Sequence, residues 1–213
     1  KPEVSGSIPL PATIFYTVIK KKLKKIFKKI SYSFFILLYG QIKSSLKTYD
    51  NNKIEKKSLK LEKDLTYNIY KVTNGRLYTD RIQDTAILLD NKVVDGPSFQ
   101  MRHTQDSKVY MDKVENNIVF KIGTPRILKK VNGKVLSLLT GGGGNSNYWH
   151  WLLDVLPRLN LCQKYINLDR IDFFLLPSLE RHFQNETLDL LNIPKSNSPT
   201  SSSSSLASIS DNC

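Results

Sequence analysis

The hydrophobic and polar positions divide the chain into a basic helical region, a strand-rich middle and an alternating strand–helix region. Lys1–Thr13 carries three prolines and reads as an irregular lead-in. From Ile14 to Ile30, apolar residues at Ile19, Leu23, Ile26, Phe27 and Ile30 follow helical spacing, and lysines fill the opposite face. Ser31–Tyr39 is uncharged and too short to span a bilayer, which takes about 20 apolar residues. Residues 41–66 are polar and lysine-rich and read as a linker or an exposed helix. From Tyr67 the pattern turns strand-like. Tyr67–Val72 alternates, Ala86–Leu89 and Lys92–Val94 flank Asp90–Asn91, and Ile118–Ile122 is a further apolar run. Arg126–Val131 and Lys134–Leu139 flank Asn132–Gly133, the strongest short hairpin signal.

Tyr148–Tyr165 has the spacing of a helix. Pro157 lacks an N–H and crowds the carbonyl of Leu153, so the spacing predicts a kink there or a second helix starting at Pro157. Ile171–Leu176 reads as a buried strand and Leu179–Leu191 as a helix capped by Ser178, with Leu179, Phe183, Leu188 and Leu191 inward. Strand, helix, strand and helix across 134–191 predict a βαβα layer with parallel strands. Residues 196–213 are serine-rich and without periodicity, and are expected to be disordered.

Charge changes the picture at one end. The formal net charge is +13, but residues 20–60 hold thirteen lysines, no arginine and only Asp50 and Glu55 as acids. The remainder is close to neutral. Lysines alone give phosphate contact without base readout, so nucleic acid is not expected as a partner. A basic amphipathic helix with an aromatic-aliphatic patch suits an anionic membrane surface through Lys20–Lys29; a solvated lysine face is the alternative. A cleaved signal peptide fits poorly, since no small-residue site follows the apolar run. Cys162 and Cys213 offer neither a disulfide framework nor zinc-type spacing, which favours a reducing compartment.

The densest chemistry lies in Gly141–Leu159. His150, Asp154 and Arg158 are spaced i, i+4, i+8 and form one polar stripe on a largely apolar helix, where Trp149, Leu152, Leu153, Val155, Leu156 and Leu159 are expected to be buried. A carboxylate one turn from an imidazole fixes its tautomer and raises its basicity; an arginine one turn on holds the carboxylate ionised or binds a phosphate or sugar hydroxyl. Gly143 and Gly144 allow backbone N–H groups close to a ligand, and Asn147 is a cap or a polar contact. A mobile loop and a structural His–Asp pair remain the alternatives. His150 and Asp154 have no third metal ligand nearby, so a divalent metal is not indicated. Trp149 and Trp151 point to different faces, so one is expected in the core. His103, in a polar stretch, is expected to be solvated.

The block Asn147, Tyr148, Trp149, His150, Trp151, Leu152, Leu153, Asp154, Val155, Leu156, Pro157, Arg158, Leu159 resembles glycosyltransferase family 61, which includes bacterial capsular polysaccharide biosynthesis proteins. The likeness extends over about residues 67–195. It implies an α/β fold: a GT-B-like, Rossmann-like N-terminal half at 67–195, with a β-rich segment before it and the basic amphipathic helix and linker at 1–66. It implies sugar transfer from a nucleotide-sugar donor to a glycan acceptor, with no cofactor beyond that co-substrate. His150 and Asp154 would be base and base-orienter, and Asn147, Arg158, Gly143 and Gly144 would be substrate-binding. The implied place is cytoplasmic, peripheral on the inner face of the cell membrane. The family pattern continues into a donor-binding half where this chain turns to serines, so the chain is expected to be inactive alone. A non-catalytic membrane-surface module is the alternative function.

Overall fold

The computed structural model describes residues 11–61, 65–79, 82–124, 128–144, 147–193 and 206–210. The chain forms two compact units, 1–40 and 41–213. The first contains helix α1, Pro11–Tyr39. Gly40, at φ 76°, ends it by donating its N–H to the Ile36 carbonyl at 2.8 Å. This left-handed cap suits glycine, which has no Cβ to clash.

The second unit is mixed α/β with a curled sheet. Its strands are β1 (Ser44–Leu46), β2 (Ile54–Lys60), β3 (Thr66–Val72), β4 (Arg76–Thr79), β5 (Asp84–Leu89), β6 (Lys92–Val94), β7 (Phe99–His103), β8 (Val109–Met111), β9 (Leu128–Asn132), β10 (Val135–Ser137), β11 (Phe173–Leu175) and β12 (Leu206–Ser210). Eight of them join one sheet in the order β1-β6-β5-β4-β12-β9, with β7 and β8 branching from β5. The branch arises because β5 changes partner along its length. Its Asp84–Thr85 end pairs with β7, and its Leu88–Leu89 end pairs with β6. Strands β2 and β3 form a separate antiparallel ribbon, and β10 and β11 a separate parallel pair.

Local chemistry accounts for several turns. Asp90 and Asn91 both take positive φ, 49° and 62°, which is the type I′ geometry that lets β5 and β6 close tightly. The expected strand at Ile118–Ile122 is instead helix α2, Val119–Ile122. The Asp84 carboxylate accepts the Ile118 N–H at 2.9 Å and the Asn117 side chain accepts the Val119 N–H at 3.1 Å. Two first-turn donors are thereby satisfied, and Gly123 at φ 75° closes the helix.

The expected hairpin at 126–139 does not form. Strand β9 pairs with β12, while β10 turns away to pair with β11. The Asp172 carboxylate accepts the Lys134 N–H at 2.7 Å, and a Cβ on Gly133 would lie 2.7 Å from an Asp172 oxygen. Asp172, just before β11, thus captures the turn and redirects its exit. Residues 41–66 also differ from expectation: rather than a linker or helix, they supply β1 and β2, and Ile42, Ile54 and Leu59 are buried. Disorder was the expectation for the tail, yet Leu206–Ser210 forms a strand between β4 and β9. Its backbone satisfies the edges of both, a demand that depends little on composition. The rest of 194–213 lies outside the described residues.

Between β10 and β11 the chain passes through α3 (Tyr148–His150), a π-helical segment at Trp151–Val155, and α4 (Leu156–Gln163); α5 (His182–Leu190) follows β11. This is the strand–helix–parallel-strand unit expected from the pattern. Arg181, not Ser178, caps α5; on that helix Leu188 is buried as expected, but Leu191 is exposed and Gln184 is buried. One core, around Ile42, Leu88, Val93 and Val119, fills the curled sheet. A second, around Leu138, Trp151, Val155, Leu159, Phe174 and Leu188, binds the helices to the parallel pair. Leu77, Leu139 and Leu175 join the sheet to that layer.

Candidate functional site

The helical run begins with a cap and contains one irregularity. The Asn147 side chain accepts the Trp149 N–H at 2.8 Å, satisfying an otherwise unpaired N–H of the first turn. Asn147, expected at the substrate, is engaged in starting the helix. Further on, Pro157 has no N–H to give. The Leu156 N–H reaches back five residues to the Trp151 carbonyl, and the chain takes up the missing bond as a π-turn before α4 restarts.

The polar stripe assembles as its spacing predicts. His150 Nδ1 donates to Asp154 Oδ2 at 2.7 Å. Asp154 Oδ1 lies 3.7 Å from Arg158 Nη2. The His150 and Asp154 side chains are 37% and 32% exposed, so both are held by the protein and reachable from solvent. With Nδ1 engaged by the carboxylate, proton exchange with a ligand falls to Nε2.

Arg158 faces inward from the same stripe. Its Nη1 donates to the Thr140 carbonyl at 2.5 Å and to the Leu138 carbonyl at 3.3 Å, just past the carboxyl end of β10. Burial pushes its pKa down, and the neighbouring Asp154 carboxylate acts in the other direction. Burial also pushes the thiol of Cys162, one turn further, up. The guanidinium is therefore largely a clamp on the strand end rather than an open anion site.

The glycine run is a 3-10 turn, Gly141–Gly144. The Gly143 N–H, expected to face a ligand, donates to the Thr140 carbonyl at 3.3 Å. A Cβ on Gly143 would overlap the Leu138 carbonyl oxygen and come within 2.7 Å of Arg158 Nη1. A Cβ on Gly141, at φ 59°, would come within 2.9 Å of the Phe99 ring on β7. These two glycines let the loop pack between the sheet and the arginine. Gly144 closes the same turn.

Exposure on the helix departs from the expected pattern. Trp151, Val155 and Leu159 are buried, but Trp149 is 66% exposed, and Leu152, Leu153 and Tyr148 are exposed as well. The buried indole donates its Nε1–H to Thr187 Oγ1 on α5 at 2.8 Å. Tyr148 packs edge-on against Phe183 of α5, with ring centroids 4.8 Å apart. The His–Asp pair thus opens on a surface bearing Trp149 and Leu153. Thr187, Phe183 and Phe99 were not predicted from sequence as parts of this site. Nothing local marks them, because their role comes from contacts across more than 30 residues of chain.

Arg158 ties the stripe to the chain just past the carboxyl end of β10. An open cleft of about 1320 Å³ lies at the opposite end of β10 and β11, lined by Gly133, Lys164, Asp169, Asp172 and Asn192, and it includes neither His150 nor Asp154. Among the described residues no group of three or more metal-ligating side chains occurs. His103 is exposed on β7.

No protein-family model matches the chain. Comparison with curated proteins gives no match, and comparison with solved structures gives none.

Proposed function

We propose that the chain forms the acceptor-side half of a glycosyltransferase in surface polysaccharide assembly, with His150 as general base and Asp154 as the residue that orients it. The single observation that supports this reading is the 2.7 Å bond between His150 Nδ1 and Asp154 Oδ2, partly open to solvent on the helical run that follows β10. The resemblance of residues 147–159 to glycosyltransferase family 61 supplies the reaction class.

In this reading a sugar hydroxyl of the glycan acceptor approaches His150 Nε2. The hydroxyl is a poor nucleophile until its proton is removed, and the imidazole takes that proton as the oxygen attacks the anomeric carbon. The new C–O bond forms as the bond to the nucleoside diphosphate breaks, and the electron pair leaves with the diphosphate. Asp154 stabilises the imidazolium produced. Trp149, exposed beside the pair, offers a face for stacking on a sugar ring. The resemblance assigns the nucleotide of the donor to a donor-binding half of the family's fold. Arg158 and Gly143 hold the loop that borders the acceptor, while Asn147 fixes the start of the helix.

The test measures nucleoside diphosphate release from a panel of nucleotide-sugars with glycan acceptors, using the longest natural form of the chain. His150→Gln should lower turnover by roughly 10²–10⁴-fold, the usual contribution of a general base. Asp154→Asn should lower it as well, with KM little changed. Turnover retained in His150→Gln would remove that residue from the mechanism.

A further inference from the structure

Helix α1 presents an exposed apolar stripe with lysines opposite. We infer that it is an in-plane anchor for an anionic lipid surface. Leu23, Ile26, Phe27, Ile30, Phe34 and Leu37 recur at helical spacing, and all are exposed, Phe27 at 72% and Leu37 at 83%. At 100° per residue they fall within about a third of the helix circumference. Lys21, Lys24, Lys25 and Lys28 lie on the other side and are exposed.

Charge selects the occupant. No acidic residue occurs between Glu3 and Asp50. A self-associating helix gains from opposite charges flanking its apolar seam. A second copy of α1 would bring only lysine against lysine. A sheet of lipid phosphates supplies the complementary sign, and its acyl boundary takes up the stripe. The stripe occupies one face, and no helix among the described residues is long and apolar enough to cross a membrane. The geometry therefore fits a helix lying along the headgroup boundary, with its lysines reaching up to the phosphates. The final turns carry no charge, and Phe34 and Leu37 extend the exposed stripe toward the end of the helix.

The experiment is co-sedimentation of the full chain with vesicles of phosphatidylcholine alone or with phosphatidylglycerol added, at low and high salt. Binding should be at least tenfold stronger with phosphatidylglycerol and should fall by at least tenfold at high salt. Each lysine near an anionic surface contributes about a fivefold factor. Changing Lys21, Lys24, Lys25 and Lys28 together to Gln should therefore weaken binding by more than about a hundredfold. Phe27→Ser should weaken binding to charged vesicles at both salt concentrations. All five positions are exposed, so circular dichroism of the remainder should be unchanged. Equal binding to neutral vesicles would overturn the inference. So would lipid-free dimerisation abolished by Phe27→Ser, or preference for a duplex oligonucleotide over the phosphatidylglycerol vesicles.

Discussion

Asp84 and Asp154 each stand beside an arginine, in opposite conditions. Both oxygens of Asp84 are bonded to the Arg102 guanidinium, at 2.8 and 2.9 Å, and one also accepts the Ile118 N–H. Its side chain is 4% exposed. Arg102 continues to the carbonyls of Met101 and Asn116, and Asn117 beside it reaches Thr85, Phe99 and Gln100. Asp154 has one oxygen on His150, while the other stands 3.7 Å from Arg158, and its side chain is partly exposed. The same residue types give a saturated knot in one place and an unsaturated pair in the other. A carboxylate whose lone pairs are filled by backbone and arginine is committed to holding strands. One that keeps capacity beside an imidazole is able to take part in proton transfer.

The largest break in this comparison should come from Asp84→Ala. It takes from the partly buried Arg102 its close carboxylate, leaving Asp112 at 3.9 Å, and it leaves the Ile118 N–H without an acceptor. Unfolding in urea should show a loss of about 3–5 kcal/mol. Gly143→Ala comes next. Its methyl would press on the Leu138 carbonyl, a backbone atom that moves only with β10. A cost of roughly 1–3 kcal/mol is expected, with a shifted Trp fluorescence spectrum as the helix adjusts. The smallest effect on stability belongs to Asp154→Asn, within about 1 kcal/mol as for other partly exposed ion pairs, although it should impair transfer. If Asp154→Asn costs as much as Asp84→Ala in the same titration, the pair is structural and the contrast collapses.

Much of the helical layer could be read from the residues alone. The i, i+4, i+8 spacing of His150, Asp154 and Arg158 places them on one stripe, and Pro157 forecasts the irregularity. Ile171–Leu176 announces a buried strand through the apolar run Phe173–Leu176 that follows Asp172. The failures come mostly from partners distant in sequence. Asn132–Gly133 is a sound local turn signal, but Asp172 is nearly forty residues away and decides where the chain goes next. Ile118–Ile122 is apolar enough for a strand, yet Asp84 and Asn117 take its first N–H groups and wind it into α2. Trp149 and Leu153 were expected inside because periodicity tells how residues are arranged around a helix, not how much of the circumference is covered. The burial of Trp151 rather than Trp149 depends on α5, which supplies Thr187 and Phe183.

The π-turn at Trp151–Val155 bears on the angular phase of the helix. In an α-helix each four-residue step overshoots a full turn by about 40°. Two such steps would carry Arg158 well around the cylinder from His150, and Leu159 equally far from Trp151. The wider turn absorbs much of that overshoot, so the polar row and the buried row beside it run nearly along the axis. Pro157 thereby acts as a phase corrector: it lets one helix keep its tryptophan and leucine on the core while its histidine, aspartate and arginine stay in line.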